Sequence, residues 1–187
     1  GASVFGSNNF TIECWWKAGG TQGNYATIIS QNFTSSPANG TFGFKVAGAT
    51  SVVEFTYYSG GLVNIDGTTS VNDGNWHHIA AVRNNLSLYI FVDGTLQTTG
   101  TLPSGQVIGN SSASAIVGYE SRDNVYLSGY VSNLRLVNGT ALYTSNFTPP
   151  TGPLAAISNT AFMIAQDQSG STYNDNGPNH FSITGNN

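Results

Sequence analysis

Carboxylates are the side chains of this sequence that could carry hydrolytic chemistry. The glutamates are Glu13, Glu54 and Glu120, and six aspartates accompany them. A retaining glycosidase needs two carboxyl groups about 5 Å apart on one wall of a cleft. Glu13 and Glu54 are isolated in the sequence, and Glu120 falls in a predicted loop, so no catalytic pair is visible. We therefore predict that the protein is not an enzyme, and keep a glycan hydrolase as the alternative from another class.

Aspartates on predicted turns are the candidate metal ligands. Asp66 and Asp73 fall on one pair of turns, and Asp123 lies beside Asn124 on another. Calcium accepts carboxylate, amide and carbonyl oxygens, but the spacing of a calcium-binding loop is absent. A turn aspartate can instead accept a hydrogen bond from its own backbone. Calcium is thus the only cofactor that the sequence leaves open.

The candidate glycan-binding side chains are aromatic residues that lie beside polar groups, because a bound pyranose ring needs an apolar face and a few hydrogen-bonding partners. One loop, residues 118–126, concentrates both kinds, and a tyrosine from another part of the chain adds a second candidate. The predicted glycan-binding residues are Tyr119, Arg122, Asp123, Asn124, Tyr126 and Tyr58. The alternative is a solvated loop with one of its tyrosines in the core.

The adjacent histidines His77 and His78 do not predict a metal site. On a strand they point to opposite faces, so they cannot both bind one ion without distortion. His78 has the same strand parity as Trp76, Ala80 and Val82, and we predict that it packs with them and that both its ring nitrogens are hydrogen-bonded.

The elements that must position these side chains are short alternating strands separated by turn residues. Phe10, Ile12, Cys14 and Trp16 share one face of the first. A helical candidate, Thr140–Thr144, is one turn at most. The other predicted strands are Tyr25–Gln31, 42–46, 52–58, Trp76–Arg83, Leu86–Val92, Thr95–Thr99, Ala115–Tyr119, Tyr130–Val137, Ala161–Gln166 and His180–Thr184, with hairpin turns at Asn84-Asn85 and Asp93-Gly94. This pattern predicts one all-β, antiparallel sandwich (a jelly roll) over residues 1–187.

The amino-acid composition limits the classes of partner that the protein can bind. Charged residues are 7 % of the chain, against about 25 % in an average domain, so its solubility depends on Asn, Thr, Ser and Gly. Five Lys and Arg with a net charge of −4 provide no basic patch for nucleic acid. No apolar run approaches the ~18 residues of a membrane span. The single cysteine, Cys14, is predicted to be a buried apolar residue.

Four motifs carry a resemblance to a known family. Asp73–Arg83 contains W-H-H-I-A and ends in an arginine. Leu88–Gly94 ends in V-D-G, and Phe10–Trp15 reads F-T-I-E-C-W. With the G-Y-V-S-N-L-R of Gly129–Arg135, they resemble, in order, the concanavalin A-like lectin/glucanase superfamily and its laminin-G-like domains. The resemblance implies a jelly-roll sandwich.

A narrower resemblance is carried by residues 133–150 and 175–184, which are similar to a subgroup in phage virion proteins. It implies a non-enzymatic module of a capsid decoration, tail fibre or adhesion protein, on a virion surface or outside cells. Its expected partners are other virion proteins, copies of itself, or host-surface polysaccharide. A lectin-like domain of a secreted or cell-surface adhesion protein is the alternative. The subgroup has a further strand before Phe10, so we expect a longer parent chain or a neighbour that supplies it.

Two packing predictions complete the sequence analysis. Trp76 is predicted as the central core residue, near Phe10, Ile12, Phe44, Leu88, Ile90 and Leu134, with a cost of about 3–5 kcal/mol for Trp76→Ala. Residues 146–154 carry three prolines and cannot form a central strand. We predict that this segment covers an outer sheet face through Phe147 and Leu154, with Trp15 beneath or beside it. The alternative is that Trp15 is an exposed sugar platform.

Overall fold

The computed structural model describes residues 5–20, 25–31, 33–109, 113–164 and 175–178. In these ranges the chain forms strands and no helix, so the described part holds no helical segment that could cross a membrane. The strands are β1 (Phe10–Ala18), β2 (Tyr25–Gln31), β3 (Phe42–Ala47), β4 (Val52–Tyr58), β5 (Leu62–Ser70), β6 (His77–Asn84), β7 (Ser87–Val92), β8 (Thr95–Thr101), β9 (Ala115–Val117), β10 (Tyr119–Glu120), β11 (Val125–Tyr126), β12 (Gly129–Asn138) and β13 (Thr160–Ile164).

Two main sheets form the sandwich. The first has the order β13-β12-β1-β6-β7-β8, and the second has the order β5-β4-β3-β2-β9. β10 and β11 make a separate two-stranded hairpin. Every strand pairing in the described ranges is antiparallel. The predicted antiparallel sandwich is confirmed.

Strand β1 shows how the sequence pattern builds the core. Phe10, Ile12, Cys14 and Trp16 alternate along it, and all four are fully buried between the sheets. The indole Nε1 of Trp16 donates a 3.2 Å hydrogen bond to the carbonyl of Val71, which satisfies the one polar atom of that side chain. Burial raises the pKa of the Cys14 thiol far above its usual value, as predicted for an inert buried cysteine.

Trp76 is not in this core, and the prediction that it forms the central contact is wrong. Its side chain is 45 % exposed, just before β6 begins. The six residues named as its neighbours are all buried in the main core, so the core was identified but its tryptophan was not. Trp76 has the parity of His78, Ala80 and Val82, and that face of β6 points away from the second sheet. The core tryptophan is Trp16.

Several turns and strands differ from the prediction, and the predicted strand Ala115–Tyr119 is interrupted at Gly118 between β9 and β10. Asp93 and Gly94 form the predicted two-residue turn, with φ of 48° and 74°. The β6–β7 turn is shifted by one residue, because its loop is Asn85-Leu86 and Asn85 has the positive φ. Leu62–Ser70 was expected to contain a turn at Asp66 but forms edge strand β5. Thr140–Thr144 is not helical. The predicted strand His180–Thr184 lies outside the described residues.

The proline-containing segment covers the outer face of the first sheet, as predicted. Phe147 packs edge-on against Phe91 and His78, and Leu154 is buried. The amide of Phe147 donates to the carbonyl of Gly94 at 2.9 Å. Trp15 lies beside this cover, with its ring against His78 at 5.4 Å. The segment creates a second, smaller apolar cluster outside the main core.

Candidate functional site

The predicted sugar-binding loop is the β10–β11 hairpin, which we call the tyrosine hairpin. Tyr119 pairs with Tyr126 across it, and their ring centroids are 4.7 Å apart with the planes inclined at 41°. Tyr126 is 71 % exposed. The Tyr119 hydroxyl donates to Asn124 Oδ1 at 3.0 Å, and Asn124 has a φ of 52°. The structure therefore brings the predicted aromatic and amide groups together.

Hydrogen bonds to strand β2 and to the segment that follows it hold the tyrosine hairpin in place. Ser30 Oγ donates to the carbonyl of Tyr119 at 3.3 Å, and Ser121 Oγ donates to the carbonyl of Phe33 at 2.8 Å. The amide of Leu127 donates to the carbonyl of Gly118 at 2.8 Å and closes the base of the hairpin. These bonds fix the position of the hairpin that carries the two rings.

The other predicted glycan residues divide into two groups. Arg122 and Asp123 are on the turn of the tyrosine hairpin, with Arg122 Nε 4.0 Å from Asp123 Oδ1. Tyr58 is at the end of β4, which β3 and β2 separate from β9. Tyr58 is therefore not part of the same site.

A buried ion cluster lies below the tyrosine hairpin, on the outer face of the second sheet. Lys45 Nζ is 3.1 Å from Glu54 Oε1 and 4.0 Å from Glu120 Oε2, and it lies over the ring of Phe33. Thr27 Oγ1 donates to Glu120 Oε2 at 3.0 Å. Burial raises the pKa of Glu120, and the nearby Asp123 carboxylate adds to the rise. The description of Glu54 as isolated and of Glu120 as a loop residue is wrong, because folding brings these two acids to one lysine.

A second buried acid lies under the covering segment of the first sheet. Arg135 Nε donates to Glu13 Oε1 at 2.9 Å, and the Tyr143 hydroxyl donates to Glu13 Oε2 at 2.9 Å. Burial opposes ionisation of Glu13, but the His78 hydrogen bond and the Arg135 charge still hold its pKa below the usual value. His78 Nε2 is 3.1 Å from Glu13 Oε2, whereas His78 Nδ1 has no hydrogen-bond partner in the described structure. The prediction that both ring nitrogens are bonded is therefore wrong for Nδ1.

The predicted calcium ligands are dispersed. Asp66 is on β5 opposite Glu54, and burial and that neighbouring carboxylate raise its pKa. Asp73 accepts hydrogen bonds from the Asn75 amide and side chain, and these bonds depress its pKa strongly. Asp123 is on the tyrosine hairpin. Three separate elements thus carry the three aspartates, and the described residues hold no group of three or more His, Cys, Asp or Glu placed to bind one ion.

Sequence reasoning missed a second exposed aromatic pair. Trp76 and Tyr130 have ring centroids 6.4 Å apart with planes inclined at 54°, and Tyr130 is 60 % exposed. Strand parity alone places Tyr130, which pairs with Lys17, on the outer face of the first sheet. Strand alternation could therefore have identified Tyr130 as an outer-face residue. The pair was missed because Trp76 was predicted to lie in the core.

Comparison with known proteins was made on sequence and on structure. Residues 1–146 match the Laminin_G_3 family, described as the concanavalin A-like lectin/glucanases superfamily. A search of curated protein sequences found no match.

Three solved structures represent the fold. A Bacteroides ovatus protein, provisionally described as carbohydrate-binding, has 15 % identity and a TM-score of 0.68 over 91 % of this chain and 50 % of its own. Domain 4 of the arabinanase AbnA from Geobacillus stearothermophilus, in complex with arabinotriose, has 18 % identity and a TM-score of 0.56 over 73 % of this chain and 63 % of its own.

The third is the CBM40 domain of a Ruminococcus gnavus sialidase bound to α2,6-sialyllactose, with 14 % identity and a TM-score of 0.56 over 73 % of this chain and 79 % of its own. The chain spans half the length of the Bacteroides protein and just under two thirds of the AbnA domain structure. At these low identities, the TM-scores establish a shared fold alone.

Proposed function

We propose that this chain, which belongs to the concanavalin A-like lectin/glucanase superfamily, is a non-catalytic glycan-binding domain that uses the tyrosine hairpin. The observation that carries the proposal is the pair of inclined tyrosine rings, one of them 71 % exposed, at a centroid distance of 4.7 Å. Two of the similar structures have bound oligosaccharides, which supports a carbohydrate ligand.

The tyrosine hairpin has the two kinds of group that a sugar ring requires. The exposed face of Tyr126 packs against the C–H groups of a pyranose or furanose ring. Arg122 and Asn124 flank that face and hydrogen-bond to hydroxyl groups. The Tyr119 hydroxyl is already bonded to Asn124, so binding orders few side chains and loses little conformational entropy.

The buried acids support binding without hydrolysis. Glu54 and Glu120 both face Lys45, and both side chains are almost completely inaccessible. A glycosidase acid must contact the glycosidic oxygen, and a carboxylate enclosed by protein cannot. Glu13 is enclosed in the same way under the covering segment. We therefore expect no release of reducing ends from polysaccharides.

For the biological setting, we propose the surface of a virion, as a capsid decoration or tail-fibre module that contacts copies of itself or other virion proteins. The support is the resemblance of residues 133–150 to phage virion domains and the low charge of the chain. An antibody raised against the chain should label purified phage particles. Labelling of cell surfaces alone would support the alternative, a secreted or cell-surface adhesion protein.

The glycan-binding proposal is tested with an immobilised glycan array that includes arabinotriose and sialyllactose. We expect Tyr126→Ala to weaken binding roughly two- to twelve-fold, the equivalent of about 0.5–1.5 kcal/mol for one aromatic contact. The matched control is Leu86→Ala, which truncates another exposed apolar side chain, on the β6–β7 turn. Equal binding by wild type and Tyr126→Ala contradicts this location of the site, and absence of binding to every glycan contradicts the function.

A further inference from the structure

The second aromatic pair, Trp76 and Tyr130, lies on the outer face of the first sheet, and Tyr130 follows Tyr126 of the tyrosine hairpin by four residues. Tyr130 of β12 pairs with Lys17 of β1, and Trp16 pairs with His77. Trp76 immediately precedes His77 and so comes level with Lys17. Three side chains therefore form a row across three strands, with the two rings on either side of the lysine. We call Trp76 and Tyr130 together the tilted platform.

Backbone and side-chain bonds fix both halves of the tilted platform. On the Trp76 side, His77 Nε2 lies 2.9 Å from Asp73 Oδ1 and His77 Nδ1 lies 2.7 Å from Asp93 Oδ2. The Asn75 amide also donates to Asp73 Oδ1, at 2.8 Å. Both neighbours of Trp76 in the chain are thus tied to one aspartate, which fixes the backbone from which the exposed ring projects.

On the Tyr130 side, a glycine brings the strand close to the core tryptophan. A Cβ atom at Gly129 would lie 2.5 Å from the Trp16 ring, so only glycine allows β12 to approach β1 this closely at that point. This packing sets the position of the next residue, Tyr130, beside Lys17.

We propose that the tilted platform is a second carbohydrate site, which takes a curved oligosaccharide chain independently of the tyrosine hairpin. Its two rings expose roughly 200–250 Å², whereas a stable protein partner needs about 800 Å² on each side. The area suits one or two sugar rings. Lys17 lies between the rings and Asp73 and Asn75 lie beside Trp76, so hydroxyl groups find donors and acceptors at the edge of each aromatic face.

The angle between the rings selects the shape of the chain. Faces inclined at 54° cannot both lie flat on a straight, ribbon-like glycan. Successive sugars of a helically curved glycan present their faces at different angles and can contact both rings. The tilted platform should therefore prefer a β-1,3-glucan such as laminarihexaose to the flat β-1,4-linked cellohexaose.

The experiment compares wild type, Trp76→Ala, Tyr130→Ala and Tyr126→Ala on one array that contains laminarihexaose and cellohexaose. Trp76→Ala and Tyr130→Ala should each weaken laminarihexaose binding about fivefold, while Tyr126→Ala leaves it unchanged. Trp76→Phe, which keeps an aromatic face, should retain most of the binding and separates loss of the ring from loss of the fold. Thermal melts verify that each variant is folded.

Four outcomes distinguish this inference from the proposed function. Loss of laminarihexaose binding in the platform variants, with no loss of any glycan on the array in Tyr126→Ala, supports the second site and contradicts the hairpin site. Loss in Tyr126→Ala alone supports the hairpin site and overturns the second site. Loss of different glycans in the two sets supports both. Failure of the wild type to bind laminarihexaose, or tighter binding of cellohexaose than of laminarihexaose, overturns the tilted platform as a site for curved chains.

Discussion

The outer faces of the two sheets are covered by different parts of the chain. On the first sheet, the chain folds residues 139–154 over its own strands and encloses Glu13 with Arg135, Tyr143 and His78. On the second sheet, the tyrosine hairpin and Phe33 enclose Lys45, which is shared by two glutamates. In both places, strand alternation predicts a solvent-exposed face, but the charged side chains on that face are buried. The two clusters differ in that Arg135 is paired with one acid, Glu13, whereas Lys45 is near two, Glu54 and Glu120.

The largest effect that tests this comparison is expected from Glu13→Ala. Removing the acid leaves the Arg135 guanidinium buried without its carboxylate partner, which costs about 3–5 kcal/mol of unfolding free energy. Urea unfolding followed by tryptophan fluorescence measures it. Glu54→Ala is the matched variant, and its loss should be smaller because Glu120 remains near Lys45. Equal losses would show that the second acid does not compensate.

Gly94→Ala should have the next largest effect, because Gly94 lies on the β7–β8 turn in direct contact with the covering segment of the first sheet. Gly94 has a φ of 74°, and a Cβ there would lie 1.9 Å from the carbonyl oxygen of Phe147. Left-handed strain and displacement of the segment together should cost about 2–3 kcal/mol. Gly60→Ala is the control, because it has the same φ of 74° and open space around it. If both variants lose the same amount, the cover contributes nothing beyond the backbone strain.

A smaller effect is expected from pH, through the clamp that holds Trp76. Burial opposes protonation of His77, but its hydrogen bonds to Asp93 and Asp73 raise its pKa above the usual 6.5. A raised folded pKa means that the stabilisation is fully present below pH 6.5 and is lost as the pH rises through the folded value. The unfolding free energy of wild type relative to His77→Gln should therefore decline above pH 6.5. A difference that grows with pH contradicts the assignment.

The smallest effect concerns metal removal. Asp66, Asp73 and Asp123 lie on three separate elements, and Asp73 is already bonded to Asn75 and His77. We expect EDTA to change neither the melting temperature nor glycan binding. A fall in either that added calcium reverses would restore the calcium prediction, and Asp123→Asn, on the tyrosine hairpin, would then locate the ion.

Local patterning predicted most of the fold. The strand Tyr25–Gln31 was predicted with its observed ends, because its apolar residues lie between turn-forming glycine and asparagine. β5 was missed, since LVNIDGTTS has few apolar residues and an Asp-Gly pair that is typical of turns. An edge strand needs only one buried face, so its alternation of apolar and polar residues is weak and is hard to distinguish from a turn sequence.

Contacts between distant residues were not predictable in this way. Glu13 and Arg135 are 122 positions apart, and nothing in either neighbourhood indicates the other. Trp76 shows the opposite failure, because it was predicted in the core although its strand parity with His78, Ala80 and Val82 matches the outer face. The tyrosine hairpin was found from sequence because its aromatic and polar groups are close together along the chain.

The closure of the tyrosine hairpin has a consequence for how such domains diversify. Its two ends meet at one hydrogen bond between Gly118 and Leu127, and its turn takes no part in either sheet. Residues between these ends can be exchanged or lengthened as a cassette while the sandwich folds unchanged, provided that Glu120 and Ser121 keep their anchors. Under the proposed function, hairpin replacement on a constant scaffold would then change the ligand specificity.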